Sequence, residues 1–188
     1  MEDPSFERFS SKRLVIRRFA SGDAEALAAY RSDAEVARYQ GWECPYPVSE
    51  AREFIASLHD LAPGTPGTWF QFAVSLAPSG PLIGDAALRT CRSDARQAEL
   101  GFTFAPAHQR RGYATEAVRA VVQYAFSQLK MHRVFSRTDA RNLRAQRLLE
   151  RLTFRREGEL RESVWFKGAW ATDLLYAQLE SEWRPEQT

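Results

Sequence analysis

The sequence has few cysteines, no long apolar run and no excess of one charge. Cys44 and Cys91 are the two cysteines among 188 residues, and neither has a paired spacing or a nearby histidine, so neither a disulfide framework nor a metal site is predicted. No apolar run reaches the roughly 18 residues of a membrane span, and the first residues lack the apolar segment of a signal peptide. We therefore expect a cytoplasmic protein without a membrane partner.

The charge balance and the missing nucleotide motifs argue against further classes. Lys and Arg number 26 against 24 Asp and Glu, giving a formal charge of +2, and the arginines are spread along the chain, so a nucleic-acid partner is not expected. The sequence has neither the GxxxxGK[ST] motif of mononucleotide sites nor the early GxGxxG motif of dinucleotide-binding folds. Kinases and dehydrogenases are therefore poor interpretations.

What is present is typical of a folded globular domain. The chain is 44% hydrophobic and 27% charged, and its length suits a single domain over residues 1–188. The pattern predicts a strand, short helices, three strands, a long helix, a strand, a helix and a closing hairpin. Because no repeat or linker interrupts this order, we predict one mixed α+β domain. The predicted strands are 14–19, 69–76, 82–89, 98–104, 134–138, 154–166 and 172–178.

The segment with the clearest chemistry joins the strand at 98–104 to the long helix. Residues 109–114 fit the pattern QxxGxA and open that helix. N–H groups at a helix start have no intrahelical acceptor and carry partial positive charge, so they can hold a pyrophosphate, with Gly112 allowing close approach. Arg110 and Arg111 would add positive charge. The alternative is a glycine turn with two exposed arginines.

These residues resemble the [QR]xxGx[GA] signature of the GNAT superfamily of acyl-coenzyme A dependent N-acetyltransferases. Residues 142–158 resemble the NxxSxxxLEKLGFxxEG stretch of its ribosomal-protein N-terminal acetyltransferase (RimJ/RimL-type) branch, and residues 168–176 resemble that branch's closing hairpin. With residues 13–17 at the start, the resemblance covers nearly the whole chain. It implies a GNAT fold, with a mixed, mostly antiparallel sheet of about seven strands, flanked by helices and splayed between strands 4 and 5.

The resemblance implies acetyl-coenzyme A (acetyl-CoA) as the acyl donor and no metal. The pyrophosphate is expected at the signature, and the pantetheine arm along the backbone of residues 102–104, where an N–H also faces the thioester oxygen. Asn142 matches an asparagine that contacts the arm, and it also suits a helix N-cap. The side chains of Phe102 and Phe104 also suit a core. The predicted coenzyme-binding residues are Phe102, Thr103, Phe104, Gln109, Arg110, Arg111, Gly112, Tyr113, Ala114, Thr115 and Asn142.

The acceptor amine must lose a proton before it attacks, and a carboxylate can take that proton directly or through water. Glu99 is the predicted catalytic base, because it lies on the strand leading to the signature, as in histone-acetylating relatives. A solvated or salt-bridged glutamate is the alternative. The acceptor, a protein N-terminus or a small amine, is expected between the helical opening and the closing hairpin. Trp42 and Glu43, on a loop there, are the predicted substrate-binding residues. Packing is the alternative for the aromatic side chain, because aromatics are usually core residues.

Three positions depart from the family pattern, and one of them is Thr153, where the branch often has glycine. The branch often has serine where Ala145 stands, and some N-terminal acetyltransferases have a general-acid tyrosine where Leu149 stands. These departures leave open a catalytically weak protein that binds or senses acyl-CoA. Arg110 and Arg111 leave open an RNA surface, whose binding would depend strongly on salt. A homodimer through the closing hairpin is also compatible with the resemblance.

Overall fold

The computed structural model describes residues 1–184, which form one mixed sheet and five α-helices. No helix in this part of the chain is long and apolar enough to cross a membrane. The strands are β1 Arg8–Ser10, β2 Leu14–Arg17, β3 Trp69–Leu76, β4 Leu82–Thr90, β5 Gln97–Phe104, β6 Arg133–Asp139, β7 Arg155–Phe166 and β8 Ala169–Leu179. The helices are α1 Ala24–Arg31, α2 Ala34–Ala37, α3 Val48–Ser57, α4 Tyr113–Ser127 and α5 Leu143–Arg151.

The strands lie in the order β1-β2-β3-β4-β5-β6-β8-β7. Neighbouring strands are antiparallel except for β5 and β6, which are parallel. The prediction of an α+β fold with a mostly antiparallel sheet is confirmed. The edge strand β1 was not predicted, so the gap expected between strands 4 and 5 lies between β5 and β6.

The sheet opens between β5 and β6. These strands pair over three residues only, from Gln97 opposite Arg133 to Glu99 opposite Phe135. Beyond that point β5 remains paired with β4 as far as Phe104, while β6 remains paired with β8. The two strands therefore diverge, and the predicted splay is confirmed.

The long helix α4 covers one face of the sheet. Apolar residues recur at helical spacing along it, so that one stripe of the helix is buried. This stripe packs against alternate strand residues such as Phe72, Leu100 and Val134. The packing fixes the start of α4 just beyond the end of β5. The buried residues of α4 are Ala117, Val118, Val121, Val122, Tyr124, Ala125 and Phe126.

Phe72 lies at the centre of this core. It is fully buried, and its ring centroid lies 4.8 Å from that of Phe70, 5.2 Å from Phe6 and 5.8 Å from Tyr124. We expect Phe72→Ala to lower the free energy of unfolding by about 3–5 kcal/mol, because the cavity it leaves cannot fully collapse. Urea denaturation measures this, with the exposed Trp165 changed to alanine as the control. A loss below about 1 kcal/mol would contradict this packing.

The helices α1 and α3 cover the opposite face, over β3 and β4. The hydroxyl of Tyr30 on α1 donates a hydrogen bond to the buried carboxyl group of Asp85 on β4. Burial raises the pKa of Asp85, while the charge of Arg31 and the Tyr30 hydrogen bond oppose this increase.

Because side chains alternate along β4, Arg89 points to the same face as Asp85. This face therefore also carries Glu99, which pairs with Arg89.

Candidate active site

A cavity of about 260 Å³ lies in the gap between β5 and β6. One wall comes from β5, the other from β6 and the start of α5, and the closing hairpin and the loop after α2 complete it. The predicted residues Phe102 and Asn142 line this cavity. Its lining consists of Tyr39, Gln40, Leu100, Gly101, Phe102, Ser136, Arg137, Thr138, Asp139, Asn142, Ala145, Val164, Phe166, Ala171 and Asp173.

The β7–β8 hairpin is fastened to the loop that follows α2. At the hairpin tip, the ammonium group of Lys167 donates to the carbonyl oxygens of Ala37 at 2.9 Å and Trp42 at 2.7 Å. From the same loop, Gln40 Nε2 donates to the carbonyl oxygen of Phe102 on β5 at 3.4 Å. The hairpin and the loop are therefore held together across the gap between the two strands.

The backbone of β5 offers hydrogen-bonding groups to the gap. The N–H of Ala105 donates to Ile83 on β4 at 2.9 Å. Because successive N–H groups of a strand point to opposite sides, the N–H of Thr103 also faces β4, and those of Phe102 and Phe104 face away from it. The carbonyl of Phe104 accepts from the side chain of Gln109 at 2.8 Å, on that same side. Two backbone donors therefore point into the space that β6 has left.

The signature loop forms a concave turn at the start of α4. Gly112 and Arg110 both have left-handed conformations, with φ of 80° and 61°. The N–H of Glu116 donates to Gly112 at 3.0 Å and is the first in α4 with a helical acceptor. The three N–H groups before it, at residues 113–115, are thus free of helical partners, and Arg110 and Arg111 are exposed beside them. Such a turn suits an anionic group such as a pyrophosphate.

Gln109 and Asn142 connect the elements that border the gap. Gln109 bonds Phe104 through its amide nitrogen, and its oxygen accepts from Arg144 of α5 at 3.3 Å. Asn142 caps α5, with its side-chain oxygen accepting the N–H of Ala145 at 3.2 Å. Asn142 thus has the N-cap role that its sequence position suggested, and it lines the cavity as well.

Glu116, in the first turn of α4, ties this helix to the segment before β2. Its carboxylate accepts hydrogen bonds from the Ser11 hydroxyl at 2.8 Å, from the Arg13 N–H at 2.7 Å and from the Arg13 guanidinium at 2.6 Å. Burial acts to raise the pKa of Glu116, but the hydrogen bonds from Ser11 and Arg13 outweigh it and lower the pKa. The negative charge also lies at the positive end of the helix dipole.

We expect Glu116→Gln to lower the free energy of unfolding by about 1–2 kcal/mol at neutral pH. Because folding lowers the pKa of Glu116, its contribution is present above the ordinary glutamate pKa and is lost as pH falls through the lower folded value. The difference from wild type should therefore shrink below pH ~4.3. Urea denaturation across this range measures it, with the exposed Glu53→Gln as control. A difference independent of pH would contradict this role.

Glu99, the predicted base, lies on β5 at the closed end of the gap. It is 9% exposed and forms an ion pair with Arg89 of β4, whose guanidinium lies 5.2 Å from the ring centroid of Trp69. Glu99 is not among the cavity-lining residues. Its chain neighbour Leu100 does line the cavity, and the charge of Glu99 acts on Asp173 of the lining, so a water molecule could connect this carboxylate to the cavity.

Trp42 and Glu43, the predicted substrate-binding residues, lie on the loop that covers the gap but do not line the cavity. The Trp42 indole N–H donates to the carbonyl of Arg31 at 3.0 Å, and its ring packs on the Arg31 guanidinium at 4.3 Å. Glu43 is exposed. Trp42 therefore positions the loop, with its backbone accepting from Lys167.

The cavity also contains residues to which the sequence assigned no role. Two of them, Ser136 and Thr138, bring hydroxyl groups from β6. Asp173 of β8 brings a half-buried carboxyl group. Burial raises the pKa of Asp173, with Asp139 and Glu99 adding to this effect and Arg137 opposing it. Asp173 falls within residues 168–176, which resemble the branch's closing hairpin, but neither that resemblance nor the alternation of β6 and β8 reveals what lies opposite each strand.

The other carboxyl group of the lining, that of Asp139, is already engaged. The Arg141 guanidinium donates to both of its oxygens, at 2.9 and 2.6 Å, and the Arg141 N–H donates to it at 2.8 Å. These hydrogen bonds lower the pKa of Asp139. Within residues 1–184, no group of three His, Cys, Asp or Glu side chains is placed to hold a metal ion.

The splayed strands, the inward N–H groups and the concave turn at α4 form one connected site, and the sequence around it matches a family model. The model of the acetyltransferase (GNAT) domain matches residues 13–155. The chain is a GNAT N-acetyltransferase.

Relatives of this GNAT N-acetyltransferase cover nearly its whole length. An uncharacterised N-acetyltransferase, p20, of Bacillus licheniformis is 28% identical over 94% of this chain and 98% of its own length. The alanine N-acetyltransferase of ribosomal protein uS5 from Escherichia coli is 27% identical over 95% of this chain and 93% of its own.

Solved structures show the same fold. A GNAT-family acetyltransferase of Bacillus anthracis superposes with a TM-score of 0.82 at 28% identity, over 93% of this chain and 99% of that one. The spermidine N-acetyltransferase of Vibrio cholerae, in complex with coenzyme A and spermine, has a TM-score of 0.77 at 25% identity, over 92% of this chain and 98% of that one.

Proposed function

We propose that this N-acetyltransferase moves an acetyl group from acetyl-CoA to a primary amine by direct attack of the amine on the thioester. The observation that carries the proposal is the pair of N–H groups, at Phe102 and Phe104, that face the gap beside the concave turn at Gly112. We place the pantetheine arm along β5 and the pyrophosphate at residues 109–115. The coenzyme A bound to the Vibrio cholerae relative supports this choice of donor.

In this reaction the acceptor arrives as an ammonium ion and must first give up a proton. We propose that Glu99 takes this proton through water. The amine nitrogen then attacks the carbonyl carbon, a C–N bond forms, and negative charge develops on the thioester oxygen. A backbone N–H of Phe102 or Phe104 would stabilise that charge.

The C–S bond then breaks, and the thiolate of coenzyme A leaves with the electron pair. It takes up the second proton of the nitrogen, giving an amide and a free thiol. A thiol pKa of roughly 8.5 makes the thiolate a tolerable leaving group, so it can depart before it is protonated. Water can then carry the proton from the nitrogen to the thiolate. No hydroxyl at Ala145 or Leu149 is then required.

We propose a primary amine acceptor that enters between the hairpin and the loop after α2. The printed names of the relatives include a ribosomal-protein alanine N-acetyltransferase and a spermidine N-acetyltransferase, so both a protein N-terminus and a small amine are compatible with this family. The cavity residues that differ between such enzymes would determine which of these amines this chain accepts.

A second candidate function is an acyl-CoA sensor that keeps the coenzyme cleft without turnover. It is favoured by Ala145, which brings no hydroxyl to the cavity wall, and by Leu149, which is fully buried in the core. A sensor would bind acetyl-CoA tightly in the presence of an amine and leave the thioester intact.

Mass spectrometry distinguishes the two functions. The full chain is incubated with acetyl-CoA that carries an isotope-labelled acetyl group. Each reaction also contains one amine, which is glycinamide, propylamine or spermidine. We expect the label in the amide of at least one amine. Binding of acetyl-CoA without labelled product for any amine would favour the sensor, and no binding would contradict both functions.

A further inference from the structure

The charged side chains that line the cavity differ in whether other residues of the protein already form hydrogen bonds with them. Its charged lining residues are Arg137, Asp139 and Asp173. Asp139 is held by three hydrogen bonds from Arg141. In the described part of the chain, the side chains of Arg137 and Asp173 form no hydrogen bond and no close ion pair, although the charge of Arg137 acts on Asp173. One carboxylate and one guanidinium on the cavity wall are thus free to bind a ligand.

These two side chains are neighbours on the face of the sheet that the hairpin and the α2 loop enclose. In the β6–β8 register, Arg137 lies opposite Leu175, and Asp173 is two residues from Leu175 on the same strand. Such diagonal neighbours have Cα atoms roughly 7–8 Å apart and project to the same side. Of the other carboxylates on this face, Asp139 is bound by Arg141, and Glu99 is bound by Arg89 and does not line the cavity.

We propose that Asp173 and Arg137 recognise the acceptor together, with Asp173 binding its ammonium group and Arg137 binding a carbonyl or carboxylate oxygen next to that ammonium. The proposal rests on the N-acetyltransferase function proposed above and names its acceptor class: compounds with an α-amino group beside an acyl oxygen. Free amino acids and peptide N-termini share this chemistry. Asp173 is a specificity-determining residue here, and the proton still passes to Glu99 through water.

The charge pattern separates this class from polyamines. A polyamine carries further ammonium groups, and Arg137, the other charged side chain of the lining that is not already hydrogen-bonded, would repel one of them. A guanidinium instead donates paired hydrogen bonds to an oxygen of the acceptor. The burial that raises the pKa of Asp173 also leaves its carboxylate poorly solvated, which strengthens its attraction for an ammonium ion.

The test compares two amines in two variants, Asp173→Asn and Arg137→Gln. Glycinamide has the adjacent oxygen, and propylamine lacks it. We expect Asp173→Asn to lower kcat/KM about 10-fold or more for both amines, mainly through KM, because it removes the ammonium partner. Arg137→Gln should lower it about 10-fold for glycinamide and leave propylamine within about threefold of wild type. Comparing each variant with wild type on one amine cancels the intrinsic reactivity of that amine.

Additional measurements separate binding from folding. The affinity for acetyl-CoA should be unchanged in both variants, and Arg137→Lys should retain more glycinamide activity than Arg137→Gln. Wild-type rates with glycine and with a glycine tripeptide show which source of the α-amino group is preferred. If the pair serves only to stabilise the hairpin, both variants melt earlier and Arg137→Gln keeps the wild-type ratio of glycinamide to propylamine activity, which overturns the proposal.

Failure of this inference and failure of the enzyme function look different. If wild type produces no amide from any amine, the proposed function fails and the recognition pair fails with it. If wild type acetylates amines but the two variants match it on glycinamide, or if spermidine is preferred and Arg137→Gln improves its kcat/KM, only the recognition pair is wrong.

Discussion

Gly112→Trp is expected to abolish acetyl-CoA binding in isothermal titration, with an affinity at least about 100-fold below that of wild type. The side chain would start from a left-handed residue (φ of 80°) at the concave turn, where even a Cβ atom lies 3.3 Å from the Arg13 guanidinium. A tryptophan there fills the space that we assign to the pyrophosphate. It also distorts the turn that orients the free N–H groups of α4.

Gly168→Trp is the matched control for this variant. Gly168 has nearly the same conformation, with φ of 83°, but no atom lies within 4 Å of its added Cβ, and it stands at the tip of the hairpin. Both variants incur the cost of a left-handed non-glycine residue, about 1–2 kcal/mol, so thermal melting should shift similarly. Acetyl-CoA binding that survives in Gly112→Trp, or is lost equally in both variants, would contradict the assignment of the pyrophosphate site.

Glu99→Gln is expected to lower kcat by about 100-fold while leaving the affinity for acetyl-CoA unchanged. Removal of a general base costs about 10²- to 10⁴-fold, and the lower end is expected where water relays the proton. The change keeps the shape of the side chain on β5 but ends its ion pair with Arg89. Initial rates with saturating acetyl-CoA measure the effect.

Glu157→Gln is the control, because Glu157 also forms an ion pair with an arginine of the sheet, Arg133, but lies outside the cavity. It should keep kcat within about threefold of wild type. If Glu99→Gln retains more than a third of the wild-type kcat, Glu99 serves the fold through Arg89 and another group accepts the proton. A decrease in kcat that tracks a loss of folded protein would lead to the same conclusion.

Much of the fold was predictable because it depends on local periodicity. The apolar spacing after Gly112 predicted α4, and the helix expected between the predicted strands 134–138 and 154–166 is present as α5, Leu143–Arg151. The closing hairpin, predicted from strands at 154–166 and 172–178, is present as β7 and β8. The edge strand β1 was not predicted, because three residues are too short to show an alternation.

The concave turn at which we place the coenzyme was predictable for the same reason, since the signature lies within a short continuous segment. The walls of the cavity at β6 and β8 were not. Asp173 meets Arg137 and the gap only because β8 pairs with β6 instead of β5, a non-local arrangement that no short pattern reports. The inward direction of the Phe102 and Phe104 N–H groups likewise depends on how β5 pairs with β4.

Trp42 shows the limit of arguing from residue type. An aromatic on a loop near the expected pocket is a reasonable substrate contact. Here its ring instead packs on Arg31, and its carbonyl accepts the hydrogen bond from Lys167 that fastens the hairpin. Its position was predictable from the sequence, but its contacts were decided by a buried arginine eleven residues earlier in the chain.

The release of free thiol from acetyl-CoA tests the central claim most directly. The rate is followed with the wild-type chain at saturating acetyl-CoA, with and without glycinamide. The account predicts slow release without the amine, a rate that rises and saturates with the amine, and no such increase in Gly112→Trp. A thioester that remains intact with every amine tried, while acetyl-CoA is bound, would contradict it.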